Sequence, residues 1–167
     1  MKDIKFYNII FPLWFVLFLP PVIFITLVGN FVIDSLVVIA CFFIFKLADV
    51  QKSLTEFYKG SILKVWIFGF LADIIGASIL FIIGILEPLE LPIDVIRGIN
   101  YDPFSNLAAV AVITIAMLVS AVLIFMFNYR ITFAKQINEK KLRAKVAIAV
   151  ALITMPWTFL LPTKWFY

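Results

Sequence analysis

The chain reads as an all-α protein, a polytopic bundle of five transmembrane helices, and three observations predict it. Hydrophobic residues make up 65% of its 167 residues and charged residues 14%, with a mean hydropathy of +1.14. A soluble domain of that size exposes too much surface to hide such a composition. A spanning helix needs about 20 mostly apolar residues, and five stretches qualify: 7–28, 31–48, 62–86, 107–128 and 146–163. These stretches are continuously apolar rather than alternating, which favours helices over a barrel. The longest connection, 87–106, is only loop sized, so residues 1–167 read as a single membrane domain.

The first stretch follows Lys2 and Lys5 in the manner of a signal peptide. No small-x-small cleavage site follows it, and Pro20-Pro21 interrupts it, so it reads as a retained span. Gly29-Asn30 is the expected turn into span two, with Asn30 as its cap and Asp34 in its first turn. A carboxylate there gains about 0.3–1 kcal/mol from the helix N-terminal partial charge. The lone Cys41 lies in span two and has no internal disulfide partner.

Between Asp49 and Gly60, Ser53 and Glu56 stand at capping-box spacing before Phe57 and Tyr58, predicting a short surface helix ahead of span three. The following loop, punctuated by Pro88, Pro92 and Pro103, is acidic yet too apolar for a free linker. Ile93, Val95, Ile96 and Ile99 predict a short interfacial segment, with Asp94 and Arg97 spaced to pair if it is helical. Tyr129 at one end of span four, and Trp157, Trp165 and Tyr167 near the end of span five, fit aromatic belts. Lys164 can snorkel beside them.

Orientation follows from the cations. Lys2 and Lys5, then Lys46, Lys52, Lys59 and Lys64, then Arg130, Lys135, Lys140, Lys141, Arg143 and Lys145 fall on one side of a five-span chain, against Arg97 and Lys164 on the other. The positive-inside rule puts the N-terminus in the cytoplasm and the C-terminus outside, in a bacterial cytoplasmic membrane. Topology thereby accounts for the pI near 9.2, and no nucleic-acid partner is implied.

One charge escapes these explanations. Asp73 lies midway along the apolar run 62–86, too deep for a short carboxylate to snorkel. An acid at a helix centre costs about 2.5–3.5 kcal/mol on insertion scales, so it is retained only where it is paired, hydrated or protonated. Gly69, Ala72, Gly76 and Ala77 lie beside it at helical spacing, forming a small-residue face suited to close helix packing. Asp73 should therefore face protein. Ser120 and Thr154 lie at matching depth in spans four and five as candidate hydrogen-bond partners, with Asp34 as a further acid. Pro20-Pro21 would release the carbonyls of Val16 and Leu17, and Pro156 that of Leu152.

The residue inventory argues against catalysis. With no histidine, one cysteine and six scattered glycines, the chain offers no His-based triad, no thiolate zinc site or other metal cluster, and no phosphate loop. No cofactor is implied. Helix rise separates Asp34 from Asp73 by about 12 Å or more along the membrane normal, which disfavours an aspartyl dyad.

Three segments, Lys5 to Trp14, Lys64 to Gly76 and Pro156 to Phe166, resemble small uncharacterised membrane proteins of Gram-positive bacteria, some on conjugative mobile elements. The resemblance implies no activity, but it is consistent with an accessory subunit of a conjugation or secretion apparatus. The Gly69 to Gly76 pattern is also similar to a segment of the rod-shape protein MreD. The expected function is a non-enzymatic subunit of a larger bacterial membrane assembly, contacting lipid and either partner subunits or copies of itself. The alternative is a small homo-oligomeric transporter or channel with Asp73 as its proton or cation site.

Overall fold

Prolines and apolar length decide where this chain bends. The computed structural model describes residues 12–49, 53–85 and 90–166; Lys2, Lys5, the start of the first expected span, Lys52, Glu87, Pro88 and Tyr167 lie outside the described residues. The helices are α1 (Leu13–Val16), α2 (Val22–Ile44), α3 (Leu54–Gly84), α4 (Ile93–Asn100), α5 (Leu107–Phe127) and α6 (Lys140–Thr154). A π-helical turn, Asn128–Thr132, extends α5, and 3-10 turns Trp157–Leu160 and Thr163–Trp165 follow α6. No strand occurs among the described residues. Among the described residues four segments are long and apolar enough to cross a membrane: Val22–Ile44, Leu54–Gly84, Leu107–Thr132 and Lys140–Leu160.

The boundary expected between the first two spans is corrected. Gly29 and Asn30 are interior residues of α2, so Asn30 caps nothing and Asp34 lies in mid-helix. Glycine inside a helix costs at most about 1 kcal/mol. A turn there would strip backbone groups of partners in apolar surroundings, which costs more. The break falls instead at Pro20-Pro21, where no backbone N–H can be donated. The contacts of α1 and α2 run progressively down the length of α3: Phe15 stacks on Phe81, Phe18 meets Phe70, the Trp66 indole donates to the Leu27 carbonyl at 2.9 Å, and Ser35 bonds Tyr58. The stretch from Leu13 to Ile44 is thus one interrupted crossing rather than the ends of two spans.

Local signals elsewhere position the remaining helices. Ser53 caps α3 by accepting from the Glu56 amide, so the expected surface helix is the opening of α3 itself. The short segment expected between the third and fourth apolar stretches is α4, which buries Val95, Ile96 and Ile99 but exposes Ile93, while Asp94 and Arg97 pair at 4.0 Å on its exposed side. Trp14 donates its indole N–H to the Ile99 carbonyl at 3.1 Å, and the Leu13 amide donates to Thr163 Oγ1 at 2.9 Å. The described chain therefore begins and ends at the same end of the bundle, opposite the end that carries Lys46, Arg130 and Lys140. Lys164 pairs with Asp102 there.

Two apolar clusters fill the bundle. Phe42, Phe57, Phe133 and Ile137 belong to the cluster at the cationic end, and Trp14, Leu80, Ile113, Met117 and Phe159 to the other. Between them, at one level on four different helices, lie Asp34, Asp73, Ser120 and Thr154.

Candidate functional site

The site is built where α2, α3 and the end of α6 meet. On α2, Thr26, Asn30 and Asp34 recur every four residues and so share one helix face. On α3, Gly69 and Asp73 have the same spacing. Asp34 is buried, with Oδ2 3.8 Å from the position a β-carbon on Gly69 would take. The absence of a side chain at Gly69 is what lets the α2 carboxylate approach α3 one turn from Asp73.

Asp34 and Asp73 both line a cavity of about 270 Å³, which also receives Thr26 and Asn30 from α2, Phe70 from α3, and Thr154, Pro156 and Trp157 from the break after α6. Asp73 is 8% exposed, and its buried Oδ1 has no hydrogen-bond partner among the described residues. None of the lining residues is a lysine or arginine. The two acids face one shared space without a cationic counterpart in its walls.

The hydroxyls expected to satisfy Asp73 bond elsewhere. Ser120 Oγ donates across the helix interface to the Ala72 carbonyl at 2.9 Å, and Thr154 Oγ1 donates to the Val150 carbonyl in its own helix at 2.9 Å. Thr26 likewise bonds back to Val22. Gly76 takes the close contact with α5: a β-carbon there would run into the Ser120 hydroxyl and lie 3.2 Å from both the Ala116 carbonyl and the Phe159 ring. Ala72 and Ala77 are buried on the same side of α3 as this contact or beside it.

Both proline breaks flank the cavity. The carbonyl expected to be freed by Pro156, that of Leu152, is taken by the Trp157 indole at 3.2 Å. The Val16 carbonyl accepts from the Leu19 amide at 3.0 Å. Leu17, whose carbonyl meets Pro21 where a helix would supply an amide, is on the cavity wall. Trp157, expected as a belt residue, is likewise part of that wall.

The axial separation expected between Asp34 and Asp73 is corrected by the same finding that moves the start of α2. Counted from Val22, Asp34 lies about 18 Å along the helix, level with the Gly69 to Asp73 turn of α3. Asn30 and Thr26 were not expected at the site; their four-residue spacing with Asp34 is the signal that marks them, once 22–44 is read as one helix. Among the described residues no group of three or more metal-ligating side chains occurs.

No family model, curated protein or solved structure matches the chain.

Proposed function

We propose that this is a small multi-pass transporter or channel whose Asp34 and Asp73 take a cation or a proton inside the membrane. One observation carries the reading: two acids from different helices converge on one cavity in the apolar interior, and neither hydroxyl at hand is spent on Asp73. Carboxylates are retained at such depth where they serve an ion or proton path. Interrupted helices beside a central acid are a recurrent way of building that path, and both breaks border this cavity. The protein is read as non-enzymatic. A cavity of about 270 Å³ admits a small ligand but not the extended peptide that an aspartyl protease must hold.

The cation distribution supports an orientation with the α2–α3 and α5–α6 connections in the cytoplasm of a bacterial cell. Leu13 and Trp165 then lie at the outer face, with four spans among the described residues where five were expected in the whole chain. Parallel copies in a closed oligomer would complete a pathway too narrow for one bundle to form alone.

Reconstitution tests this directly. Liposomes holding the wild-type protein should pass protons or monovalent cations down an imposed gradient, and Asp73→Asn and Asp34→Asn should abolish the flux while still assembling normally. Undiminished flux in both variants overturns the proposal.

A second reading, an accessory subunit of a larger bacterial membrane assembly such as a conjugation or secretion apparatus, is favoured by the outer face of α2. There Phe24, Ile25, Val28, Leu36, Phe43 and Ile44 are all exposed, a broad apolar surface for lipid or for a partner helix. Crosslinking in native membranes separates the two: capture of a different membrane protein through α2 supports the subunit, and capture of this chain alone supports the homo-oligomer.

A further inference from the structure

The direction in which the cavity opens limits what can enter it. Its walls include Ile33 of α2, 49% exposed, and Ile153 and Trp157 of the α6 break, 55% and 54% exposed. The mouth therefore lies between α2 and α6 on the outside of the bundle, level with the carboxylates and facing where acyl chains would be. A bare or hydrated metal ion does not travel through hydrocarbon and would have to reach the acids from an aqueous end of the bundle, whereas an apolar cation can use this sideways entrance.

The interior matches a different ligand. Phe18, Phe70, Phe159 and Trp157 contribute aromatic surface, Asp34 and Asp73 contribute negative charge, and no lining residue offers a positive one. About 270 Å³ is far more than one water or bare ion fills and close to the lower end of organic-ligand pockets. Aromatic faces attract organic cations, most strongly when both are desolvated.

We propose that this cavity binds a lipophilic organic cation, an amine or quaternary ammonium with a compact aromatic or branched alkyl body, admitted sideways from the bilayer between α2 and the α6 break. The proposal rests on the transport reading and names its substrate class. The ammonium sits between Asp34 and Asp73, the apolar body lies against Phe18, Phe70 and Trp157, and a fixed positive charge suffices because no proton need be exchanged with the ligand.

The test uses the full chain in zwitterionic nanodiscs with labelled benzyltrimethylammonium as probe. Saturable binding is expected, weakened about tenfold or more in Asp34→Asn and in Asp73→Asn, as loss of a desolvated charge partner implies. Neopentylbenzene, of the same shape without the charge, should not compete. Ile153→Trp, which narrows the mouth and leaves both acids in place, should slow association about tenfold, within the one to three decades over which on-rates vary among variants of one site. Absence of saturable binding, equal affinity in the Asn variants, or equal competition by neopentylbenzene overturns the inference. If acid-dependent proton or sodium flux persists without probe binding, this inference fails and the transport reading stands; if both are absent, both fail.

Discussion

Two levels of one face of α3, about two turns apart, handle small residues in opposite ways. At Gly76 the missing side chain is used for contact: α5 comes in so closely that Ser120 hydrogen-bonds the α3 backbone, and no space remains. At Gly69 the missing side chain is used for room, with only the Asp34 carboxylate nearby and a cavity beyond it. Small residues in a membrane helix are thus not one device. One level of this face closes the bundle and the other leaves a polar space open beside it.

The largest effect is expected where contact is tightest. Gly76→Ala should destabilise by about 3 kcal/mol or prevent assembly, because the clash involves a backbone carbonyl as well as side chains. Thermal unfolding in detergent measures it, and a near-neutral result would mean that α5 does not approach as described. At the open level, Asp73→Leu should do the reverse, raising stability by about 1–2 kcal/mol by removing an unpartnered buried polar group while eliminating flux. A loss of stability would show instead that Asp73 is structural glue.

Smaller effects sharpen the contrast. Ser120→Ala should cost about 1 kcal/mol, the worth of one interhelical hydrogen bond. Gly69→Ala should stay within about 0.5 kcal/mol of wild type, since its new methyl meets the Asp34 carboxylate at an ordinary contact distance and gains some helix propensity. Equal penalties at Gly69 and Gly76, read from the same unfolding curves, would erase the distinction between the two levels.

Much of this fold was legible because its signals are local. Proline cannot donate, so the interruptions at Pro20-Pro21 and Pro156 are where the sequence places them. Ser53 announces the start of α3, and the three-residue spacing of Asp94 and Arg97 makes their pair as soon as α4 forms. Gly29-Asn30 misled because that dipeptide permits a turn without requiring one; a helix accepts both residues when the surrounding apolar run is long enough. The error carried to Asp34. Shifting the start of α2 from 31 to Val22 moves that carboxylate from a helix end to mid-helix, about 13 Å further from the N-terminus. The depth of Asp73 and its small neighbours could be read from one helix. That Asp34 is the group facing it depends on how α2 registers against α3, which is a tertiary fact set by the Phe15, Phe18, Trp66 and Tyr58 contacts.

The Ser120 bond also says which parts of the molecule can move. By tying its hydroxyl to the α3 main chain, Ser120 welds α3 and α5 into a frame that cannot slide without breaking a buried link. α2 is tied to α3 as well, by the Trp66 indole on the Leu27 carbonyl and by Ser35 on Tyr58, whereas the segment after Thr154 follows an interruption of the helical hydrogen-bond ladder. On the transport reading, opening would therefore move the segment after Thr154 against a frame of α2, α3 and α5 that holds both acids.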